Sequence, residues 1–267
     1  MGDDFNEHFS KYYDYIYASK DFKTSLLDYF SFIGLKGRKN VQILDVGCGT
    51  GQHSLVCVDE GFNVVSVDPS IHMLNIFNEK IKSIQLKSQC SIICTNGQDL
   101  PIRKKFDSII CLWSVIGYMN EDELKTFFLN SFNSLNKGDF LYINFWNKDH
   151  IFEHGVKNTY YEFTGPDNER FSREAYSKVI LDYVEIKFVF KGINCKINPD
   201  NMSTSTHQMR FYSIEYISDL LLQAGFSNIF IYDNSSILDF MQNKKVITHS
   251  KDLNLKDFYE LNLFIQS

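Results

Sequence analysis

The first half of the chain alternates short apolar runs with segments in which apolar residues recur at helical spacing. Five runs have the length of buried strands, and they occupy residues 41–46, 63–67, 90–94, 106–113 and 140–145. Between two of these runs, Leu74, Phe77 and Ile81 share one helical face. Alternation of strands and helices at this spacing predicts βαβ units and therefore a parallel sheet.

Polar residues and glycines mark the ends of the predicted helices. Ser70 can cap the helix that follows it, and Asn120 with Glu123 has the pattern of a capping box. Ser213 and Gly225 bracket a later helix in the same way. These signals place helices between the buried runs, as a parallel sheet requires.

The pattern changes between about residue 156 and residue 212. β-rich runs appear there at 159–163, 175–189 and 205–212. They predict an antiparallel insertion that lies over one end of the parallel sheet. After a helix over 213–224, two last strands follow at 226–232 and 259–265, the final one antiparallel.

We therefore predict an α/β fold with a doubly wound, mostly parallel seven-stranded sheet and an antiparallel β insertion after strand five. Residues 1–150 and 213–267 would form the main domain, and residues 151–212 the insertion. Aromatic residues at helical spacing over 5–33 predict one or two N-terminal helices.

Composition and charge limit the classes of binding partner that we expect. Hydrophobic residues make up 44% of the 267 positions, and the formal net charge is −6. No basic block interleaves with aromatic residues, so nucleic acid is not expected as a partner. No apolar stretch is long enough to span a bilayer, and the N-terminus lacks the pattern of a signal peptide, so no membrane partner is expected. Six scattered cysteines are typical of free thiols, and we expect a cytoplasmic protein.

A glycine-rich turn follows the first predicted strand. Gly47, Gly49 and Gly51 allow the backbone to approach a ligand closely at the carboxyl end of that strand. Such a turn alone also fits a dinucleotide-binding fold. Asp68 stands 19 residues after Gly49, at the end of the next strand, where a carboxylate can accept hydrogen bonds from two ribose hydroxyls.

The pattern Asp45-x-Gly47-x-Gly49-x-Gly51 resembles motif I of class I S-adenosylmethionine-dependent methyltransferases, which have a Rossmann-like fold. Residues 64–68 resemble motif II, and 96–101 the third motif. The resemblance implies that the glycines approach the methionine and ribose of S-adenosyl-L-methionine, which leaves as S-adenosyl-L-homocysteine. It gives these cofactor-binding candidates: Tyr13, Tyr17, Phe22, Asp45, Gly47, Cys48, Gly49, Gly51, Asp68, Pro69, Met73, Asn96, Gly97, Gln98, Leu112 and Trp113.

Three segments are similar to the sugar and small-amine N-methyltransferases. Residues 112–118 resemble their segment after strand four, and residues 12–22 resemble the N-terminal segment that covers the cofactor, which implies that the N-terminal helices form a lid on the main domain. Residues 207–213 resemble the end of their antiparallel insertion. Glycine N-methyltransferases share much of this layout, so the resemblance is specific for the cofactor and only suggestive for the acceptor.

The acceptor side has fewer candidates. By the resemblance, Tyr118 lies where the family places a residue near the acceptor, and it is our catalytic candidate as an orienting group or weak base. The alternative is a tyrosine that packs under the lid. Trp146, His207 and Arg210 join Tyr118 as substrate-binding candidates, and Arg210 would suit a phosphate or carboxylate. Equally, His207 and Arg210 could each lie on an exposed strand face.

No metal is expected. His150 and His154 are four residues apart, as a metal-binding pair on a helix would be, but no further ligand follows in register.

The leading hypothesis is methyl transfer to a small polar acceptor, most simply the amine of a nucleotide-linked amino sugar or a similar metabolite. The alternatives are a small-molecule O-methyltransferase and a cofactor-binding regulatory module without catalysis. The resemblance also implies that the insertion could form a homodimer interface.

Overall fold

The computed structural model describes residues 7–84, 89–100, 104–165, 168–193, 203–232 and 259–267. Pro101 of the third motif and Cys195, one of the six cysteines, lie outside these ranges. The cysteines within them are free thiols, namely Cys48, Cys57, Cys90, Cys94 and Cys111.

Helices and strands alternate through the first half of the chain as predicted. The helices are α1 (Glu7–Ile16), α2 (Thr24–Phe32), α3 (Gln52–Asp59), α4 (Ile71–Ser83), α5 (Glu121–Ser134), α6 (Lys148–His154) and α7 (Ile214–Ala224), with a 3₁₀ turn at Val115–Tyr118. The strands are β1 (Gln42–Val46), β2 (Asn63–Asp68), β3 (Cys90–Cys94), β4 (Phe106–Cys111), β5 (Leu135–Trp146), β6 (Thr159–Thr164), β7 (Arg170–Ile180), β8 (Tyr183–Ile193), β9 (Ser203–Arg210), β10 (Asn228–Tyr232) and β11 (Glu260–Gln266).

The larger sheet has seven strands in the order β10-β11-β5-β4-β1-β2-β3. β1 pairs in parallel with both β2 and β4, so that Leu44 stands opposite Val65 on one side and Ile109 on the other. β11 is antiparallel to both of its neighbours. The predicted doubly wound, mostly parallel sheet with an antiparallel last strand is confirmed.

The smaller sheet is antiparallel, has the order β6-β7-β8-β9, and falls within the predicted insertion. One detail of the prediction was wrong: the run 175–189 is not continuous, because the chain reverses at Leu181 and Asp182 between β7 and β8. Leu181 has a φ of 52° and is 83% exposed. A leucine in this left-handed conformation gives no turn signal in the sequence. The division into two domains stays a prediction.

Three clusters of buried side chains hold these layers together. Two of them contain residues of the parallel sheet and of the helices packed on it; Phe127 belongs to one and Phe77 to the other. The third cluster joins α1 to the smaller sheet through side chains such as Phe9, Phe188 and Met209. Burial of this third cluster keeps α1 and the smaller sheet over the same end of the parallel sheet.

Gly51 begins α3 with a φ of 85°. A Cβ atom at this position would lie 2.1 Å from Cδ2 of Phe77, a buried ring of α4. Both the left-handed backbone and the lack of space require glycine here. The turn that follows β1 therefore packs tightly against α4.

We predict that Gly51→Ala lowers the free energy of unfolding by about 2–5 kcal/mol, because backbone strain and overpacking add. Gly61→Ala is the matched control, since Gly61 has a φ of 83° but open space around a Cβ. It should lower the stability by about 1–2 kcal/mol. Urea unfolding of both variants measures the difference, and equal losses would contradict the packing argument.

Candidate active site

A cavity of about 730 Å³ opens at the carboxyl ends of the parallel strands, between them, α1 and the smaller sheet. Open α/β sheets bind their ligands at this edge, and the volume is within the usual range for ligand sites. The lining includes most of the predicted site residues, namely Tyr13, Tyr17, Gly47, Gly49, Asp68, Pro69, Met73, Asn96, Gly97, Gln98, Trp113, Tyr118, Trp146 and His207.

The other predicted cofactor residues are absent from this lining. Asp45, Cys48 and Leu112 are buried in the interior, and Gly51 packs on Phe77. The ring of Phe22 stacks on Trp113, with 4.8 Å between ring centroids. Phe22 therefore packs against Trp113, a residue of the cavity wall, without lining the cavity itself. The cavity lining does not support direct ligand contact for these residues, namely Phe22, Asp45, Cys48, Gly51 and Leu112.

Asp68 connects the ends of the first two strands. Its Oδ2 atom accepts a hydrogen bond from the Gly49 N–H at 2.9 Å, and its Oδ1 atom accepts one from the Ser70 N–H at 2.8 Å. Burial raises the pKa of the Asp68 carboxyl, and these two backbone bonds oppose that shift. Each carboxylate oxygen keeps a further lone pair, so Asp68 can still accept ligand hydroxyls.

Asp45 has a different role. Its Oδ2 atom accepts a hydrogen bond from the Ser54 hydroxyl at 2.6 Å, and that hydroxyl also lies 2.7 Å from the Ser66 hydroxyl. Burial raises the pKa of Asp45 to about 7, against the effect of the Ser54 bond. Asp45 thus connects β1 to α3 and β2 from inside the fold.

The backbone is unusual where β4 ends. Trp113 and Ser114 both have positive φ values, 64° and 57°, which are uncommon for residues other than glycine. The Ser114 N–H donates to Oδ1 of Asn144 on β5 at 3.0 Å, which holds this conformation. As a result the Trp113 ring contacts Tyr17, with 5.1 Å between centroids, and both residues line the cavity.

Asp14 fastens α1 over the glycine-rich turn. Its Oδ1 atom accepts hydrogen bonds from Thr50 at 2.6 Å and from the Gln52 side chain at 2.8 Å. Its other oxygen pairs with Lys80 of α4 at 2.5 Å, and Lys80 also donates to the Thr50 carbonyl. This network positions the lid residues Tyr13, in α1, and Tyr17, directly after it, at the cavity.

The acceptor candidates Tyr118 and His207 are in contact. The Tyr118 hydroxyl lies 3.1 Å from Nδ1 of His207, and Nε2 of that ring lies 2.8 Å from the Ser205 hydroxyl. A neutral imidazole has one donor and one acceptor nitrogen. Either Tyr118 donates to Nδ1 while Nε2 donates to Ser205, or both hydrogen bonds run in the opposite direction. His207 is 1% exposed, so its predicted alternative, an exposed strand face, is excluded.

Gly117 explains how the 3₁₀ turn reaches the smaller sheet. A Cβ atom on Gly117 would lie 2.8 Å from the carbonyl oxygen of Arg210 at the end of β9. Because only a glycine allows this approach, Tyr118 can reach His207 on β9.

The Arg210 side chain does not line the cavity. Its guanidinium pairs with Asp182 in the turn between β7 and β8, and Arg210 is absent from the cavity lining. The structure therefore does not support the expectation that Arg210 binds the acceptor, because the cross-strand pairing of Tyr183 with Arg210 brings this side chain to the turn.

The side chain of Gln98 offers a hydrogen-bonding position on the opposite wall. Its Nε2 atom donates to Glu123 at 3.1 Å, whereas its buried Oε1 atom has no hydrogen-bond partner among the described atoms. A ligand N–H, such as an adenine amino group, would satisfy this oxygen. Asn96, the cofactor-binding candidate at the start of the third motif, donates its side-chain amide to Asp99 at 3.2 Å.

Sequence reasoning missed several lining residues, among them Lys20, Thr159, Tyr161, Arg173, Phe188 and Glu260. Burial raises the pKa of Glu260 to about 7, and Lys20 opposes that shift. Arg173 shares one face of β7 with Phe171 and Ala175, and both neighbours are buried. The sequence signal for Arg173 was an arginine that alternates with the apolar residues of one strand face. It was missed because the predicted β-rich run began only at Ala175.

The described residues contain neither a metal-binding cluster nor a membrane-spanning helix. Within the described ranges, no three side chains of histidine, cysteine, aspartate or glutamate come together as a metal site would require. The His150 and His154 rings lie 4.5 Å apart on α6. Over the same part of the chain, no helix has the length and apolar character needed to cross a membrane.

Comparison with known proteins gives one family match and several relatives. Residues 43–138 match the family described as a methyltransferase domain. A glycine/sarcosine N-methyltransferase from Aphanothece halophytica is 25% identical over 204 residues, which cover 74% of this chain and 71% of that protein.

Solved structures share the fold. An S-adenosylmethionine-dependent methyltransferase from Clostridium acetobutylicum ATCC 824 superposes with a TM-score of 0.74 at 21% identity, covering 98% of both chains. A sugar N-methyltransferase from Streptoalloteichus sp ATCC 53650 gives 0.69 at 16% identity, covering 96% of this chain and 93% of the other.

The fold, the family match and the relatives together define the class. This protein is an S-adenosylmethionine-dependent methyltransferase, and the prediction of the enzyme and its cofactor is confirmed at that level.

Proposed function

We propose that the enzyme transfers the methyl group of S-adenosylmethionine to the neutral amine of a small polar acceptor. An amino sugar linked to a nucleotide is the leading example, and small amino acids are the next. The observation that carries the proposal is the hydrogen bond between Tyr118 and the buried His207, which places a fixed hydroxyl on the cavity wall between the parallel sheet and the insertion. The relatives compared above include N-methyltransferases of both acceptor types, which favours nitrogen over oxygen.

The residues at the carboxyl end of β1 and β2 fit the cofactor. Asp68 would hold the ribose hydroxyls, Gln98 would accept from the adenine amino group, and Gly47 and Gly49 would allow the methionine moiety to approach. When bound, S-adenosylmethionine supplies the methyl group as a substituent of a positively charged sulfur. Tyr13, Tyr17 and Trp113 line this cavity, and the faces of aromatic rings attract cations.

Tyr118 would position the acceptor. Methyl transfer is an in-line displacement, so alignment of the amine lone pair accounts for much of the achievable acceleration. The His207–Ser205 chain holds the Tyr118 hydroxyl in one orientation, and the Tyr118 oxygen can then accept an N–H of the amine. We assign Tyr118 as an orienting group, because an ordinary tyrosine is a weak base at neutral pH.

The acceptor type can be tested directly. We expect transfer of labelled methyl from S-adenosylmethionine to amines, measured with amino sugar nucleotides, glycine and sarcosine, and no transfer to the matching compounds with a hydroxyl in place of the amine. The rate should rise with pH as the acceptor amine loses its proton. Transfer to the hydroxyl compounds alone would refute the proposal.

Asp68→Ala should weaken binding of S-adenosylhomocysteine by about 10–100-fold, since hydrogen bonds to a charged group are worth about 1.5–3 kcal/mol. Titration calorimetry measures the affinity. Asp59→Ala, at the exposed end of α3, is the control and should bind as the wild type does. Unchanged affinity in folded Asp68→Ala would refute the ribose assignment.

Tyr118→Phe should lower kcat by about 10–100-fold and leave the affinity for S-adenosylhomocysteine unchanged, because the aromatic ring stays and only the orienting hydroxyl is lost. Tyr29→Phe removes a different buried hydroxyl, one that lies 2.8 Å from Ser108 in the core. It should lower stability while kcat stays the same. A Tyr118→Phe enzyme within twofold of the wild-type rate would remove Tyr118 from the mechanism.

A further inference from the structure

Arg173 lies in the wall that the smaller sheet contributes to the cavity. The residue is only 5% exposed, and its guanidinium lies beside Tyr17 and Phe188, whose rings are part of the third cluster or pack against it. The other described arginines are different. Arg38 pairs with Asp107, Arg170 with Glu162 and Arg210 with Asp182, and these three side chains are all at least 36% exposed.

The partners of Arg173 are neutral. Its Nη1 atom donates to the Tyr17 hydroxyl at 2.9 Å, and its Nη2 atom donates to the Thr159 hydroxyl at 3.2 Å. Its Nε atom has no hydrogen-bond partner among the described atoms. The carboxylates in the cavity lining, Asp68 and Glu260, do not form an ion pair with it.

Aromatic rings surround this charge. The guanidinium carbon lies 4.9 Å from the centroid of Tyr161, 5.0 Å from that of Phe188 and 5.6 Å from that of Tyr17. The rings exclude water and attract the cation, but they do not neutralise it. An arginine stays charged at any physiological pH, and a buried charge without a counter-ion is unfavourable.

Arg173 lies close to the residues that we assign to the acceptor. The Phe188 ring that it contacts also packs against the His207 ring, with 4.9 Å between the ring centroids. Arg173 and the Tyr118–His207 pair are thus separated by one phenyl ring on the same wall. The glycine-rich turn and Asp68, which hold the cofactor in our proposal, belong instead to the parallel sheet.

We propose that Arg173 binds an anionic oxygen group, a carboxylate or a phosphate, on the acceptor. The inference rests on the proposed function of this cavity and adds the charge of the substrate. The anion supplies the counter-ion that Arg173 lacks among the described residues, and the planar guanidinium is suited to both groups. The acceptor is accordingly a small molecule that carries its anionic group close to the methylated amine.

The test uses the two tryptophans of the chain, Trp113 and Trp146, which both line the cavity. The full-length enzyme is first saturated with S-adenosylhomocysteine. Sodium acetate and inorganic phosphate are then titrated against sodium chloride at equal ionic strength, with acetamide as the neutral analogue of acetate. Tryptophan fluorescence and the melting temperature are recorded.

We expect a saturable fluorescence change and a higher melting temperature with acetate or with phosphate, and neither with chloride or acetamide. A response to acetate alone assigns a carboxylate, and a response to phosphate alone assigns a phosphate. Arg173→Gln should weaken the anion affinity at least tenfold. Arg170→Gln, an exposed position on the same strand, should retain it. Without added anion, Arg173→Gln should melt no lower than the wild type, because it removes an uncompensated charge.

Arg173→Lys covers the case in which Arg173→Gln does not fold. It keeps the charge but lacks the planar donor pair, so the anion affinity should fall severalfold. An Arg173 variant that binds acetate and phosphate as the wild type does would overturn the inference.

The same experiment separates the inference from the proposed function. If the wild type binds S-adenosylhomocysteine but shows no selective response to either anion, the inference alone fails. If Arg173→Gln weakens binding of S-adenosylhomocysteine itself by tenfold, the arginine serves the cofactor carboxylate, and the inference is overturned. If the wild type does not bind S-adenosylhomocysteine, both fail.

Discussion

The hydrogen bond from the Gly49 N–H to the Asp68 carboxylate joins the ends of β1 and β2, and the rest of the site depends on it. β1 lies between β2 and β4 in the parallel sheet, so the turn after β1 is at the centre of the sheet edge. Gly51 then lets that turn pack on Phe77 and begin α3. A carboxylate is thereby held beside a turn with little side-chain bulk, which is what a ribose and a charged methionine moiety require.

The second half of the site comes from two elements that cover this edge. α1 is fastened to the glycine-rich turn by Asp14, and the smaller sheet packs on α1 through aromatic side chains such as Phe9 and Phe188. The close approach of Gly117 to the backbone of β9 brings Tyr118 to His207. Parts of the chain that are far apart in sequence thus line the cavity. The parallel sheet contributes the Asp68 carboxylate, α1 contributes the Tyr13 ring, and the smaller sheet contributes the His207 imidazole.

Burial affects the ionisable groups of this region in a consistent way. It raises the pKa values of Asp45, Asp68 and Glu260, and it lowers the pKa of His53 to about 4. Each shift has the sign expected when a charged form leaves water. In such surroundings an electrostatic contact is stronger than in water, which favours alignment of a charged cofactor and discrimination between charged and neutral acceptors.

The sequence by itself determined the fold class, the alternation of strands and helices in the parallel sheet, and the position of the glycine-rich turn. These depend on local signals: hydrophobic periodicity, helix caps and the spacing from Gly49 to Asp68. The acceptor side could not be predicted as well. The reversal at Leu181 has no glycine or asparagine to mark it, so the faces of β7 and β9 could not be assigned from the sequence. Only the tertiary structure decided that Arg210 points to Asp182 and that Arg173 lies in the cavity wall, because strand register and the packing of α1 set which side chains are buried.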